Sequence, residues 1–254
     1  MGYGLRILIN IRMKFLKFIP FLLLLFSSCA KENMCDCIKS TGDIIVETRD
    51  VKGFNRLFVE QDVNVFISQD VNTEVKVEAG DNIVPLIETV VEDGVLIIRN
   101  KNRCNWVRSY DKPLNVYIKT PGLNYIHSNG SGDIKSLNVI TLDSFDVQIE
   151  GAGSIELTLN NSKIISHIFG QGDLTLHGTT SEHACSIGGA SFLYASDLNT
   201  NYTWIQSYTL GLCYVKASGL LIYRIDDKGD IYCYGNPASV QLAKKDGEGQ
   251  LYLQ

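Results

Sequence analysis

The chain has 254 residues, 45% of them hydrophobic, and 23 Lys and Arg against 28 Asp and Glu for a formal net charge of −5. That length can bury a sizeable core. An acidic balance with no basic stripe excludes a phosphate-backbone binder, so no nucleic-acid partner is expected.

The N-terminus speaks to location. Residues 1–28 carry Arg6, Arg12, Lys14 and Lys17 and no acid, and an apolar run from Phe18 to Phe26 leads into Ser27-Ser28-Cys29. A basic start, a short apolar stretch and small residues before a cut are the parts of an export signal. The run is too short for a spanning helix, which needs about 20 apolar residues. Cys29 stands where cleavage would leave it as the first mature residue, which resembles a bacterial lipoprotein box; an ordinary cleaved signal is the alternative, and Phe26 is a less usual residue at its place. Met13-Lys14-Phe15 makes a more typical start than Met1, so residues 1–12 read as an upstream extension. Removing the four basic residues of 1–28 leaves 19 against 28, a formal net of −9. The membrane link is then acyl chains on Cys29 rather than attraction to anionic lipid. Residues 29–43 read as a tether. The expected location is the cell envelope, as an outer-membrane lipoprotein facing either the periplasm or the surface.

Six cysteines follow Cys29, and an oxidising compartment lets pairs form. Cys104 lies in a polar, turn-like stretch, and a bridge to it from Cys37, or from Cys35 instead, would close a loop of roughly 67 residues, for about 4 kcal/mol. A structural zinc site wants paired spacings that Cys35-x-Cys37 lacks. Cys213 and Cys233 each stand two residues from an apolar position, Val215 and Ile231, so strand alternation makes them buried thiols. Cys185 has no assigned role.

Residues 44–122 read as an N-terminal β module. Leu57–Glu60, Val63–Ser68 and Thr73–Glu78 alternate apolar and polar, with a turn at Gln69–Asn72. Asn82–Ile87, with Pro85 inside, is an irregular or helical crossing. Glu88–Glu92 and Val95–Arg99 flank Asp93-Gly94, a hairpin dipeptide. Leu114–Lys119 is one more strand.

From Leu123 to the end a phrase recurs: Gly130-Ser131-Gly132-Asp133-Ile134, Gly151-Ala152-Gly153-Ser154-Ile155, Gly170-Gln171-Gly172-Asp173-Leu174 and Gly247-Glu248-Gly249-Gln250-Leu251, with weaker echoes between. Units of about 19–20 residues cannot bury their own apolar face and must stack into a solenoid. The expected inward anchors are Ile134, Ile155, Leu174, Phe192, Val215, Ile231 and Leu251. Two residues later come Ser136, Leu157, Leu176, Tyr194, Ala217, Cys233 and Leu253. Two residues earlier lies a small column of Gly132, Gly153, Gly172, Ala190, Cys213, Gly229 and Gly249. The apolar last strand, Leu251–Leu253, needs a cap or partner.

These stretches carry little chemistry. The Gly-x-Gly pairs lack the third glycine and the helix of a dinucleotide site. Asp133 and Asp173 fall two coils apart, roughly 9–10 Å, too far to share a calcium ion. His127 and His167 share one column with Gln148 between, again beyond one metal's reach. No metal, cofactor or catalytic residue is expected. Acids such as Asp226-Asp227 are scattered. The aromatics Tyr202, Trp204, Tyr208, Tyr214, Tyr223, Tyr232 and Tyr234 crowd the last units, and those facing outward would offer a binding surface.

Phe54–Val59 with Val63–Ile67, then Val75–Ile83 with Asp93–Ile98, then the Gly130–Ile134 phrase with Tyr234-Gly235-Asn236-Pro237 resemble, in that order, the head GIN domain family of autotransporter-adhesin type, common in lipoproteins of Bacteroides-like bacteria. The resemblance covers about residues 44–254. It implies an all-β, right-handed parallel β-helix body and brings no catalytic residues. The expectation is a non-catalytic exported lipoprotein, adhesin-like or structural, presenting a surface to glycan or protein. The alternative is a carbohydrate-active β-helix enzyme, a polysaccharide lyase or hydrolase.

Overall fold

The computed structural model describes residues 40–102 and 113–254. Cys29, Cys35, Cys37 and Cys104 lie outside the described residues, as do the signal segment and most of the tether. Among the described residues there is no α-helix, and strands are stacked side by side as a parallel β-solenoid.

Two long parallel sheets make its walls. The first takes, in spatial order, β7 (Asn115–Thr120), β3 (Asn64–Gln69), β9 (Ile134–Ser136), the first half of β11 (Ile155–Ile168), the first half of β12 (Leu174–Gly189), β13 (Leu193–Tyr194), β15 (Cys213–Lys216), β17 (Ile231–Tyr234) and β19 (Leu251–Leu253). The second takes β6 (Val95–Asn100), β2 (Arg56–Gln61), β8 (Tyr125–Gly130), β10 (Ile140–Ile149), the second halves of β11 and β12, then β14 (Leu198–Thr209), β16 (Leu220–Ile225) and β18 (Ser239–Lys245). β11 and β12 bend from one wall to the other, so a single strand contributes to both.

The early strands belong to this stack. β2 is flanked by β6 and β8, and β3 by β7 and β9, all parallel. The chain therefore lays down an inner rung first, leaves it through β4 (Glu74–Gly80) and β5 (Ile87–Glu92), adds the rung beyond, and returns to the other side. β1 (Ile44–Arg49) pairs antiparallel with β4, and β4 with β7, closing that end. The division at 122/123 drawn from the sequence marks where the repeat becomes regular; in the packing, one core runs from Phe54 to Cys233. Local expectations hold in detail. β5 and β6 form an antiparallel hairpin around Asp93 and Gly94, with φ of 50° and 77°, the double positive φ of a turn that matches strand twist. The crossing with Pro85 is a single 3-10 turn, Val84–Leu86.

The inward file of the first wall reads Ile134, Ile155, Leu174, Leu193, Cys213, Ile231, Leu251. Two expected anchors are thereby corrected. Phe192 gives way to Leu193, and Val215 gives way to Cys213, so Val215 belongs to the next file beside Cys233. Tyr194 is likewise not inward: Ala195 is buried and Tyr194 faces solvent. In the small column Ser191 and Gly211 replace Ala190 and Cys213: an added Cβ on Gly211 would fall 2.2 Å from the Ser191 carbonyl oxygen. Ala217 is buried beyond Val215 rather than beside Cys233. Two kinds of slip are involved: one residue at Phe192, which turns every side chain of that rung to the opposite face, and two residues at Val215, which keeps the face and moves the side chain to the neighbouring file.

Candidate functional site

The residue before each anchor explains the Gly-x-Gly-Asp phrase. Asn64 Oδ1 accepts the backbone N–H of Asp133 (3.1 Å), Asp133 Oδ1 that of Ser154 (2.9 Å), Ser154 Oγ that of Asp173 (3.2 Å) and Asp173 Oδ1 that of Phe192 (2.9 Å). Asp230 Oδ1 does the same for Gln250 at 2.7 Å. Meanwhile the carbonyl of each of these residues serves the rung before, as Asp173 O accepts from Ile155 N at 2.9 Å. At this corner the amide has no carbonyl partner on the preceding rung, and a short polar side chain supplies the acceptor a backbone donor needs. The aspartates are rung connectors. Among the described residues no three His, Cys, Asp or Glu side chains are placed to hold a metal ion.

Two residues further along each rung lies the outward column of the first wall: Tyr117, Phe66, Lys135, Glu156, Thr175, Tyr194, Tyr214, Tyr232, Tyr252. Its aromatics stack. Ring centroids are 5.6 Å apart for Tyr194–Tyr214, 5.3 Å for Tyr214–Tyr232 and 4.9 Å for Tyr232–Tyr252, with planes within 21° of parallel. Phe66 and Tyr117 form a second stack at 5.2 Å. Spacing by rung places the ring planes across the solenoid axis. The tyrosine faces therefore cover one another, and edges and hydroxyls meet solvent. Burial and the carboxylates of Asp173 and Asp230 nearby push the Tyr194 and Tyr232 phenols above their usual range. Between the two stacks, Lys135, Glu156 and Thr175 leave a depression of about 310 Å³, lined by these three with Phe66, Asp133 and Ser154. Lys135 Nζ and Glu156 Oε2 are 2.8 Å apart across adjacent rungs.

The seven aromatics singled out in the sequence divide among three places. Tyr214, Tyr232 and Tyr234 face outward on the first wall. Tyr202, Trp204 and Tyr208 face outward on the second, where Trp204 is 40% exposed beside Ala184 and Ile222. Tyr223 lies in the inward file after Ile205 and packs against the core. They do not make one surface. Phe66, Tyr117, Tyr194 and Tyr252 complete the exposed column and were missed; pairing register, which follows from the regular anchor spacing, was the signal that could have found Tyr194 and Tyr252.

The second wall carries the histidine column as expected, His127–Gln148–His167. His127 stacks on Phe58 at 4.6 Å and has Nε2 3.2 Å from Glu150. Arg56 lies over the Tyr125 ring at 4.4 Å, and Tyr125 donates to Gln148 at 3.0 Å. Asp146, half-buried next to Tyr125, has its carboxyl raised above the usual range by desolvation, against the pull of His167 and Arg56. Asp226 is held by Arg224, whose Nη2 donates to it at 3.1 Å. Inside, Cys185, Cys213 and Cys233 are buried free thiols. Burial raises Cys213 to about 12 and Cys233 to about 11. No helix among the described residues is long and apolar enough to cross a membrane.

Over residues 53–237 the sequence matches the family described as "Putative auto-transporter adhesin, head GIN domain". The chain belongs to the head GIN domain family. No curated protein matches it. Solved structures resemble it along nearly their whole length. A "putative adhesin" from Bacteroides fragilis aligns with a TM-score of 0.79 at 25% identity, covering 85% of this chain and 100% of that one. A "putative adhesin" from Parabacteroides distasonis aligns at 0.67 and 20% identity, with 85% and 100% covered. A "putative lipid binding protein" from the same species aligns at 0.63 and 17%, with 85% and 99% covered. The last two likenesses establish the shared fold alone.

Proposed function

We propose that this head GIN domain protein is an exported, lipid-anchored, non-catalytic adhesin-like module. Acyl chains on Cys29 hold it in the outer membrane, and one flat wall of the solenoid meets glycan or protein ligands. The observation that carries this reading is the outward column of the first wall, in which Phe66, Tyr194, Tyr214, Tyr232 and Tyr252 line a single face. Tyrosine offers apolar area and a polar tip with little flexibility, which suits recognition. The family and the adhesin description of a 25%-identical neighbour agree with it.

The lipid-binding description of one neighbour is not carried over. Among the described residues the interior files of this stack are filled with buried side chains from Leu57 to Cys233. The enzyme alternative also loses ground. Glycoside hydrolysis uses two carboxylates roughly 5–9.5 Å apart. Asp146, the carboxyl on the second wall with a raised pKa, shares its strand line with Glu150, about 13 Å away at the rise of an extended chain. In the first-wall depression, Glu156 is ion-paired with Lys135.

Two measurements test the reading. Palmitate labelling in the native host should mark the wild type and not Cys29→Ala. The purified protein, probed on arrays of glycans and surface proteins, should retain ligands without altering them. Product released from a polysaccharide panel would overturn the non-catalytic role.

A further inference from the structure

The last rung leaves the core open. β18 continues the second wall, with Val240 after Leu221 and Leu242 after Tyr223. β19 continues the first, with Leu251 after Ile231 and Leu253 after Cys233. One rung inside, Leu221, Ile231 and Cys233 are fully buried; at this tip Val240, Leu242 and Leu253 are 38%, 53% and 58% exposed. The edge of β19 is open too. The Gln250 carbonyl accepts from Ile231 N–H (2.8 Å) and Gln254 N–H donates to the Cys233 carbonyl (2.9 Å), so the even-numbered residues bond to β17. Leu251 and Leu253 therefore turn their amides and carbonyls away from the stack. The opposite end differs. There Ile45, Glu47 and Arg49 of β1 follow Ala79, Val77 and Val75 in the inward file. Arg49 closes it with an ion pair to Glu47 (2.8 Å) and a bond to the Val84 carbonyl (2.7 Å). Inward charge is one way an edge strand refuses a partner. β18 carries one such charge, at its last residue: Lys245 follows Ile225 and donates to Gln250 at 3.1 Å. β19 carries none.

We propose that this tip docks a second copy of the chain, end to end, about a two-fold axis through Tyr252. The inference goes beyond the adhesin reading and stands without it. Residues directly opposite in an antiparallel pair share a face, so two β19 strands keep their faces only if the axis passes through a residue. Centred on Tyr252, Leu251 meets the second copy's Leu253 and exchanges both backbone bonds with it, and Leu253 does the same with the second copy's Leu251. Tyr252 meets its own counterpart, so the ring column that ends on it runs on into the second copy. Centred on Leu251, Leu253 would face Gly249, whose N–H is already given to the Asp227 carbonyl. The charges suit the two-fold. It sets the turn that carries Asp246 and Glu248 against the turn Gly235-Asn236-Pro237-Ala238, which is uncharged. Lys244 and Lys245, at the end of β18, meet that same turn rather than each other. A head-to-tail contact would instead lay the leucines on Glu47 and Arg49 and take that pair out of water, which is costly. The seven residues of β18 run about 24 Å, and two sheets about 10 Å apart with their outer side chains are roughly 20 Å deep. The contact then covers roughly 500 Å² on each copy and about 1,000 Å² together, the least a specific interface needs. Association is accordingly weak, with a Kd on the order of 10 µM.

Sedimentation velocity of the full chain in detergent, from about 1 to 200 µM so as to bracket that Kd, tests this. The protein mass should rise from one copy toward two and no further. Leu253→Lys and Val240→Lys, both at exposed positions, should each weaken association more than about tenfold with an unchanged melting curve. Oxidative cross-linking reads the geometry. Opposed residues of an antiparallel pair that exchange no backbone bonds have Cα atoms about 4.5 Å apart, within the disulfide range of about 4.4–6.8 Å. Tyr252→Cys should therefore bond to its counterpart in the second copy, as peptide mapping would show, and Thr175→Cys, in the middle of the same wall, should not. A mass that stays at one copy, a mass that climbs past two, or association untouched by both lysine variants overturns the proposal. So does Tyr252→Cys that cross-links no more than Thr175→Cys. Tyr252→Cys bonded to a cysteine of its own chain would place another part of that chain over the tip and overturn it as well. A bond between Tyr252→Cys and Ile45→Cys in a mixture of the two proteins would do so in favour of head-to-tail stacking.

Discussion

Asp173 Oδ1 accepts the backbone N–H of Phe192, one rung further along the solenoid, at 2.9 Å. The same residue's carbonyl takes the N–H of Ile155 on the rung before. One aspartate therefore ties three successive rungs. Asp173→Ala leaves the Phe192 amide without its acceptor, a loss of about 1–2 kcal/mol for a half-exposed, charge-assisted bond. Asp173→Ser should recover much of it, because Ser154 does the same work one rung earlier. Urea denaturation of the three proteins checks the order wild type, Ser, Ala. Added calcium should move none of the midpoints.

The glycine two places before the anchor has a different task. An added Cβ on Gly153 would fall 2.0 Å from the Gly132 carbonyl oxygen, and one on Gly172 equally close to that of Gly153. Backbone packs directly on backbone at this corner, and no flexible side chain can yield. Gly153→Ala should cost about 3 kcal/mol, the upper range for overpacking. Gly122→Ala, where nothing lies within 4 Å, should be nearly neutral. Thermal melts of the pair separate a packing constraint from a general aversion to losing glycine.

Much of this was legible in the sequence because stacking repeats the same physical demand every rung. The corner glycines, the Asp93-Gly94 hairpin and the His127–Gln148–His167 column all follow from spacing alone. What escaped was register where the phrase decays. Leu193, Cys213, Ile231 and Leu251 follow Leu174 at 19, 20, 18 and 20 residues. Choosing Val215 for its hydrophobicity over Cys213 made steps of 23 and 16, which a stack of equal coils does not favour. Taking Phe192 as an anchor put Tyr194 inside and hid the ladder that runs to Tyr252. The place of β2 and β3 between later strands was beyond reach, since it depends on pairings across about 40–70 residues with no repeated phrase to mark them.

Tyr232 sits between Tyr214 and Tyr252, at 5.3 and 4.9 Å, while Tyr252 has a single ladder neighbour. Each aromatic pair contributes about 0.5–1.5 kcal/mol beyond area. Tyr232→Ala should therefore destabilise by about 1–3 kcal/mol and Tyr252→Ala by about half as much. The double variant should cost less than the sum, because both remove the Tyr232–Tyr252 pair. Chemical denaturation of the cycle reads the shared stack directly.

His183 is a buried histidine of the second wall. It is 1% exposed, between Ile164 and Thr203 in the inward file, and its Nε2 lies 3.1 Å from Ser166 Oγ. Burial lowers its pKa from 6.5 to about 4. The sign follows from proton binding. Between pH 6.5 and 4 the unfolded chain takes up a proton at this ring that the folded chain refuses, so stability falls as pH falls across that window and is flat above it. The full difference amounts to about 3 kcal/mol, of which roughly 2 kcal/mol is reached by pH 5. His183→Thr, which copies the next residue in the file and keeps a hydroxyl for Ser166, removes the titrating ring. Its urea midpoint should change little between pH 7.5 and pH 5, while that of the wild type drops. Equal slopes for the two proteins over this range would show that the ring is protonated inside the fold or that the acid response lies elsewhere.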